Sequence, residues 1–166
     1  RSIKYDNFSS TPMDFHVREA KHSDLPALCI LFKQYYPVHN IFDGEECEVI
    51  PYLSAQIKKN KSLVIEHKGK MIGFVLVKCV SKNLAHYLWQ FKHVCVKYRE
   101  ALTPLLGAAE DFASMHGETN KVELLISQSE PLKKTFLENG YKHEATLFNH
   151  YRLNESMFMF GKLLLQ

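Results

Sequence analysis

Apolar residues recur along this chain with two periods, and the change from one to the other marks out its elements. The stretch Phe15 to Arg18 alternates and predicts a short strand. In HSDLPALCILFKQYYP, Leu25, Leu28, Cys29 and Phe32 recur at helical spacing, with Ser23 placed as an N-cap and Pro37 as the stop. The run VHNIFDGEE reads as a loop before a second helical pattern from Tyr52 to Lys59, where Pro51 suits a first turn. SLVIEHKGKMIGFVLVKCV holds two β-branched runs joined around Lys68-Gly69-Lys70, a hairpin, and HYLWQFKHVCV is a further strand.

Thr103-Pro104 supplies a cap hydroxyl and a first-turn proline for the helix PLLGAAEDFASMH, with Gly117 placed as a left-handed C-cap. KVELLIS predicts a strand and EPLKKTFLENG a helix ending at Gly140. YKHEATLFNHYRL and SMFMFGKLLL predict two closing strands with Asn154-Glu155 at their turn. The order β-α-α-β-β-β-α-β-α-β-β, with hairpins at both ends, predicts an α/β (α+β) domain. Its centre is a mixed sheet of about six or seven strands flanked by about four helices, with at least one parallel crossover.

Composition adjusts this picture in few places. The chain has 166 residues, 46% hydrophobic and 23% charged, which fits one globular domain and excludes disorder and collagen-like architecture. Residues 1–12 are polar, without the apolar core of a signal peptide, and read as a loose extension or tag remnant before a single domain over 13–166. The net charge of +3 is too small and too dispersed to indicate nucleic acid; lysines 58, 59 and 61 read as a solvated helix end. No apolar run is long enough to span a membrane. Cys29, Cys47, Cys79 and Cys95 form no CxxC pair and read as reduced thiols of a cytoplasmic protein. Glycine is scarce, 7 residues where average usage gives roughly 12.

Metal, triad-elbow, Walker and dinucleotide motifs are absent, so no metal is expected. One region suggests anion binding. The strand HVCV leads through KYREAL to a helix start, where backbone N–H groups and the helix dipole favour a phosphate or pyrophosphate and Arg99 adds a charge. Any strand-to-helix joint offers part of this.

The order of elements, with several local strings, resembles the GNAT superfamily of acyl-CoA-dependent N-acyltransferases over roughly Phe15 to Leu164. FHVREAKHSDLPALCILF is similar to that family's opening strand and helix. SLVIEHKGKMIGFVLV, with Gly73, is similar to its second and third strands. HVCVKYREALTPLLGAAEDFA resembles its CoA strand, loop and helix, and SEPLKKTFLENGY its later helix. NHYRL followed by MFMFGKLL resembles the closing hairpin of amino-terminal acetyltransferases. Two departures stand out. YREALTPLL holds no glycine where the family loop has several, and Phe136 occupies the place of a proton-donating tyrosine.

The resemblance implies transfer of an acetyl group from acetyl-CoA, as co-substrate, to a primary amine: a small amine, a lysine or a protein N-terminus. The other outcome is a catalytically inactive module that binds acyl-CoA or a protein partner. For CoA the resemblance implies the backbone of Val94, Cys95 and Val96, the joint Arg99, Glu100, Ala101, Leu102 and Thr103, and Ser129 at the usual asparagine position. It implies Tyr151 as the acid for the departing thiolate and a base for the amine, for which His93 has suitable chemistry and Glu66 and Glu123 are alternatives. By strand alternation His93 would share a face with Trp89, Phe91 and Cys95. Trp89, Tyr87, Tyr35 and Tyr36 are candidates for an aromatic acceptor groove. A homodimer through the closing hairpin is left open by its edge strand.

Overall fold

A computed structural model describes residues 14–35 and 46–165. The first loop, the expected stop at Pro37, Tyr36 and the extension at 1–12 lie outside the described residues. The elements in chain order are β1 (Phe15–Glu19), α1 (Leu25–Tyr35), α2 (Glu46–Lys59), β2 (Lys61–His67), β3 (Lys70–Asn83), β4 (His86–Val96), α3 (Leu102–Ser114), β5 (Thr119–Ser127), α4 (Lys133–Glu138), β6 (Lys142–Phe148) and β7 (Ser156–Leu164). The strands form one mixed seven-stranded sheet in the order β1-β2-β3-β4-β5-β7-β6. The β4–β5 ladder is parallel and runs from His86↔Thr119 to Gln90↔Glu123, while β4 itself continues to Val96. β5–β7 and β6–β7 are antiparallel. The sheet and four helices meet the expected fold class.

The chain divides into two compact units. One reaches Leu76 and includes His93–Leu106; the other comprises Val77–Lys92 and Gly107 onward. In the first, α1 presents Leu25, Leu28, Cys29 and Phe32 to Val64, Phe74 and Leu76, all buried, with Phe32 edge-on to Phe74 at 5.3 Å between centroids. The β2–β3 turn is made by Lys68 and Gly69, both at positive φ, the pairing a tight twisted hairpin needs. Two details depart from expectation. Asp24, not Ser23, caps the entry to α1: its carboxylate accepts the Lys21 backbone N–H at 2.7 Å. It also takes two bonds from Arg18, which reaches Glu66 as well. Pro51 stands inside α2 rather than at its start.

In the second unit Asn120, fully buried, holds three groups together. It accepts from Trp89 Nε1 at 2.9 Å and from the Gly117 N–H, and it donates to the Gly117 carbonyl. Gly117 is absent from the positive-φ residues. It is needed instead for space: a Cβ there would lie 2.7 Å from the Ala85 carbonyl oxygen. Glu110 of α3 accepts bonds from Tyr141 and Lys162, and burial is the main force pushing the Tyr141 hydroxyl far above its ordinary range. Residues 149–153, expected to continue a strand up to the turn at Asn154-Glu155, instead belong to a longer turn over 149–155, stabilised by a bond from the Asn154 N–H to Asn149 Oδ1 at 2.7 Å.

Candidate active site

His93 lies near the end of β4 with φ +56°. A left-handed residue inside a strand interrupts the pleat, as a bulge does. That interruption breaks the regular alternation expected through His93, while the expected association with Cys95 remains. His93 packs with α1 and α2, its ring edge-on to Phe32 at 6.2 Å and to Tyr52 at 5.8 Å. Cys95 belongs to the same α1–α2 core. Trp89, in the other unit, packs on Phe112 and His116 of α3. The Tyr52 hydroxyl and His93 Nε2 are 2.9 Å apart. Tyr52 is half-buried, and burial pushes its hydroxyl above the ordinary tyrosine range. The sequence reading passed over Tyr52. The signal was its place beside Val49 and Leu53 on the core-facing side of α2, both of which are buried.

The joint after β4 differs from its expected form. Lys97 still pairs with β3, its N–H donating to the Ile72 carbonyl at 2.6 Å. Tyr98 is extended, and Arg99–Ala101 form a 3-10 turn that runs into α3 at Leu102. Thr103 is therefore inside the helix and exposed, not its cap. The cause is burial: Ala101 and Leu102 are fully buried, so the helix is drawn back to bury them. The Ala101 N–H donates to the Tyr98 carbonyl at 3.0 Å and the Leu102 N–H to the Arg99 carbonyl. None of residues 97–104 is among those at positive φ, so this path has no requirement for glycine. Lys97, Arg99 and Glu100 are exposed on it.

The remaining candidates divide. Glu66 is bound to Arg18 at 2.7 Å and Glu123 lies 3.6 Å from Lys121, so both carboxylates are engaged by cations. Trp89 is 4% exposed and is a core residue, not a groove lining. Phe136 is buried in α4, edge-on to Tyr141. Ser129 is exposed in the turn after β5, its hydroxyl 3.0 Å from that of Ser127. Tyr151 is exposed in the 149–155 turn, its ring against His150, and is not the strand residue expected. Among the described residues there is no cluster of three or more potential metal ligands, and no helix is long and apolar enough to cross a membrane.

No family model matches the chain. It is 29% identical over 149 residues, 84% of its length and 97% of the relative's, to YhfO of Bacillus subtilis (strain 168), described as an uncharacterized N-acetyltransferase. Its fold is similar to that of Ard1 from Thermoplasma volcanium, with a TM-score of 0.72 at 14% identity, covering 92% of this chain and 99% of that one. It is equally similar to Arabidopsis thaliana Naa50 in complex with the bisubstrate analogue CoA-Ac-MVNAL, with a TM-score of 0.72 at 15% identity, covering 89% and 97%. The element order, the strand order and these relationships agree with the strings that first suggested a resemblance to the GNAT superfamily of N-acyltransferases: the chain has the fold of these acetyltransferases and is similar in sequence to an N-acetyltransferase.

Proposed function

We propose that the chain transfers the acetyl group of acetyl-CoA to a primary amine. The observation that carries this reading is His93, a titratable side chain held at a left-handed position near the end of β4 by Phe32 and a hydrogen bond to Tyr52. A non-glycine residue kept in that conformation inside a strand is costly and is found where the surroundings enforce it, often at functional sites. His93 takes the proton lost by the attacking amine nitrogen as it bonds to the thioester carbonyl carbon.

The pantetheine arm follows the backbone of Val94, Cys95 and Val96, where β4 runs on beyond Gln90, the end of its ladder with β5. The pyrophosphate is met chiefly by the Arg99 guanidinium, with the Thr103 hydroxyl and the turn Glu100-Ala101-Leu102 beside it. Support for a side-chain role comes from the turn itself: the Ala101 and Leu102 amides are engaged within it and Pro104 has no N–H. Ser129 is the pantetheine contact from the β5–α4 turn. As the C–S bond breaks, the CoA thiolate takes a proton from Tyr151, since Phe136 has none to give. The amine is a small amine, a lysine or a protein N-terminus; Naa50 was solved with a peptide-bearing analogue, while an aminoglycoside 6'-acetyltransferase has the same fold at a TM-score of 0.71.

Calorimetric titration with acetyl-CoA tests the reading. Saturable binding at micromolar concentration supports it, and no heat at high micromolar concentration removes it.

A further inference from the structure

We infer that Tyr52 is a second catalytic residue, which passes the acceptor's proton to His93. The inference rests on the reading of His93 as base and says how the proton arrives there. In a neutral imidazole one ring nitrogen carries a proton and the other accepts. The partner of His93 Nε2 is the Tyr52 hydroxyl at 2.9 Å, within normal hydrogen-bond length. Burial raises the Tyr52 hydroxyl above its ordinary range, so at neutral pH it is an O–H, able to donate to Nε2 or to accept from it according to the tautomer of the ring. The relay assigns the tautomer in which Nδ1 bears the ring proton and Nε2 accepts. The one ring position open to a further proton lies along the Tyr52 hydrogen bond, so a proton from the amine reaches the ring through the Tyr52 oxygen.

The step balances. The amine N–H bond breaks as an O–H bond forms on Tyr52. The former Tyr52 O–H bond breaks as an N–H bond forms at His93 Nε2. Tyr52 ends neutral, His93 ends as imidazolium, and it returns its proton to water. The backbone serves this arrangement. His93 stands at a left-handed φ with its ring edge-on to both Tyr52 of α2 and Phe32 of α1. A histidine on a regular pleat needs no such geometry.

Nitrogen-15 NMR of the histidine rings in the free protein, near pH 8, reads the tautomer without any ligand. A protonated Nδ1 and an unprotonated Nε2 on His93 are expected; a proton on Nε2 overturns the relay while leaving His93 available as the base. The second readout is amine-dependent thiol release from acetyl-CoA, with spermidine, free lysine and a peptide with a free amino terminus as acceptors. Tyr52→Phe is expected to lower kcat roughly 100-fold with the KM for acetyl-CoA unchanged, the scale of general acid–base catalysis. In a His93→Gln background it should add nothing further. Equal losses from Tyr52→Phe in both backgrounds overturn the relay, as does full activity of Tyr52→Phe. Full activity of His93→Gln removes the parent reading instead. Tyr52→His is the control for packing: partial recovery relative to Tyr52→Phe is expected, since it restores a proton-carrying group, and none is expected if only ring packing mattered.

Discussion

Gly73 on β3 lies so close to the Cys95 carbonyl oxygen on β4 that a Cβ added there would stand 2.7 Å away, with Ile65 Cγ2 at 2.8 Å and Val96 Cγ1 at 2.9 Å. None of these neighbours is the loose end of a long side chain. Gly73→Ala must therefore push β3 from β4. An overpacking cost of about 1–3 kcal/mol is expected, read as a lowered urea midpoint with an unchanged slope. The Cys95 backbone moves with that shift, so the KM for acetyl-CoA should rise as well. A variant as stable as the parent would show that the two strands separate freely.

The joint after β4 makes two expectations together. Ala101→Gly adds a glycine where the backbone has no use for one. It should cost about 0.5–1 kcal/mol and leave the acetyl-CoA affinity unimproved. Arg99→Ala should weaken acetyl-CoA binding by roughly 10-fold or more, the scale of one charge-assisted hydrogen bond. The difference between parent and variant should shrink as salt is added, because Arg99 is exposed and its charge is screened. Calorimetry at two salt concentrations reads both. A tighter-binding Ala101→Gly would mean that the missing glycines matter after all.

Tyr151→Phe removes one exposed hydroxyl and little else. If Tyr151 protonates the CoA thiolate, kcat falls at least tenfold while the unfolding temperature stays put. An unchanged rate in steady-state thiol release takes Tyr151 out of the mechanism.

Asp24 carries a pH dependence with a defined sign. Hydrogen bonds from Arg18, and then the Lys21 N–H, hold its carboxyl below the usual value, against the opposing effect of burial. A depressed folded value contributes stability above the unfolded value of about 3.9, lost as pH falls through the folded one. Asp24→Asn should therefore cost about 1–3 kcal/mol at pH 7, with the gap from the parent narrowing toward pH 2. Urea titrations across that range check it; a gap independent of pH contradicts the assignment.

Much of the fold was legible because its signals are local. The β2–β3 turn declares itself in Lys68-Gly69, and the helical spacing of Leu25, Leu28 and Phe32 survives intact as the buried face of α1. The misreadings share a cause, contacts distant in sequence. Gly117 looks like a helix cap by position, yet the carbonyl of Ala85 dictates it. Thr103 looks like a cap by type, yet burial of Ala101 and Leu102 starts α3 before it. The candidate site was half legible. His93 could be chosen for its chemistry, but alternation did not show its backbone conformation, because nothing in HYLWQFKHVCV announces a left-handed residue. Tyr52, 41 positions away in sequence, becomes visible as its partner only when α2 is laid beside β4.

The most direct test of the central claim is thiol release from acetyl-CoA with and without the three amines. Acetyl transfer by this chain requires that free CoA appear faster when at least one of them is present, with the acetyl group recovered on that amine. Release no faster with any of the three than with acetyl-CoA alone would contradict it.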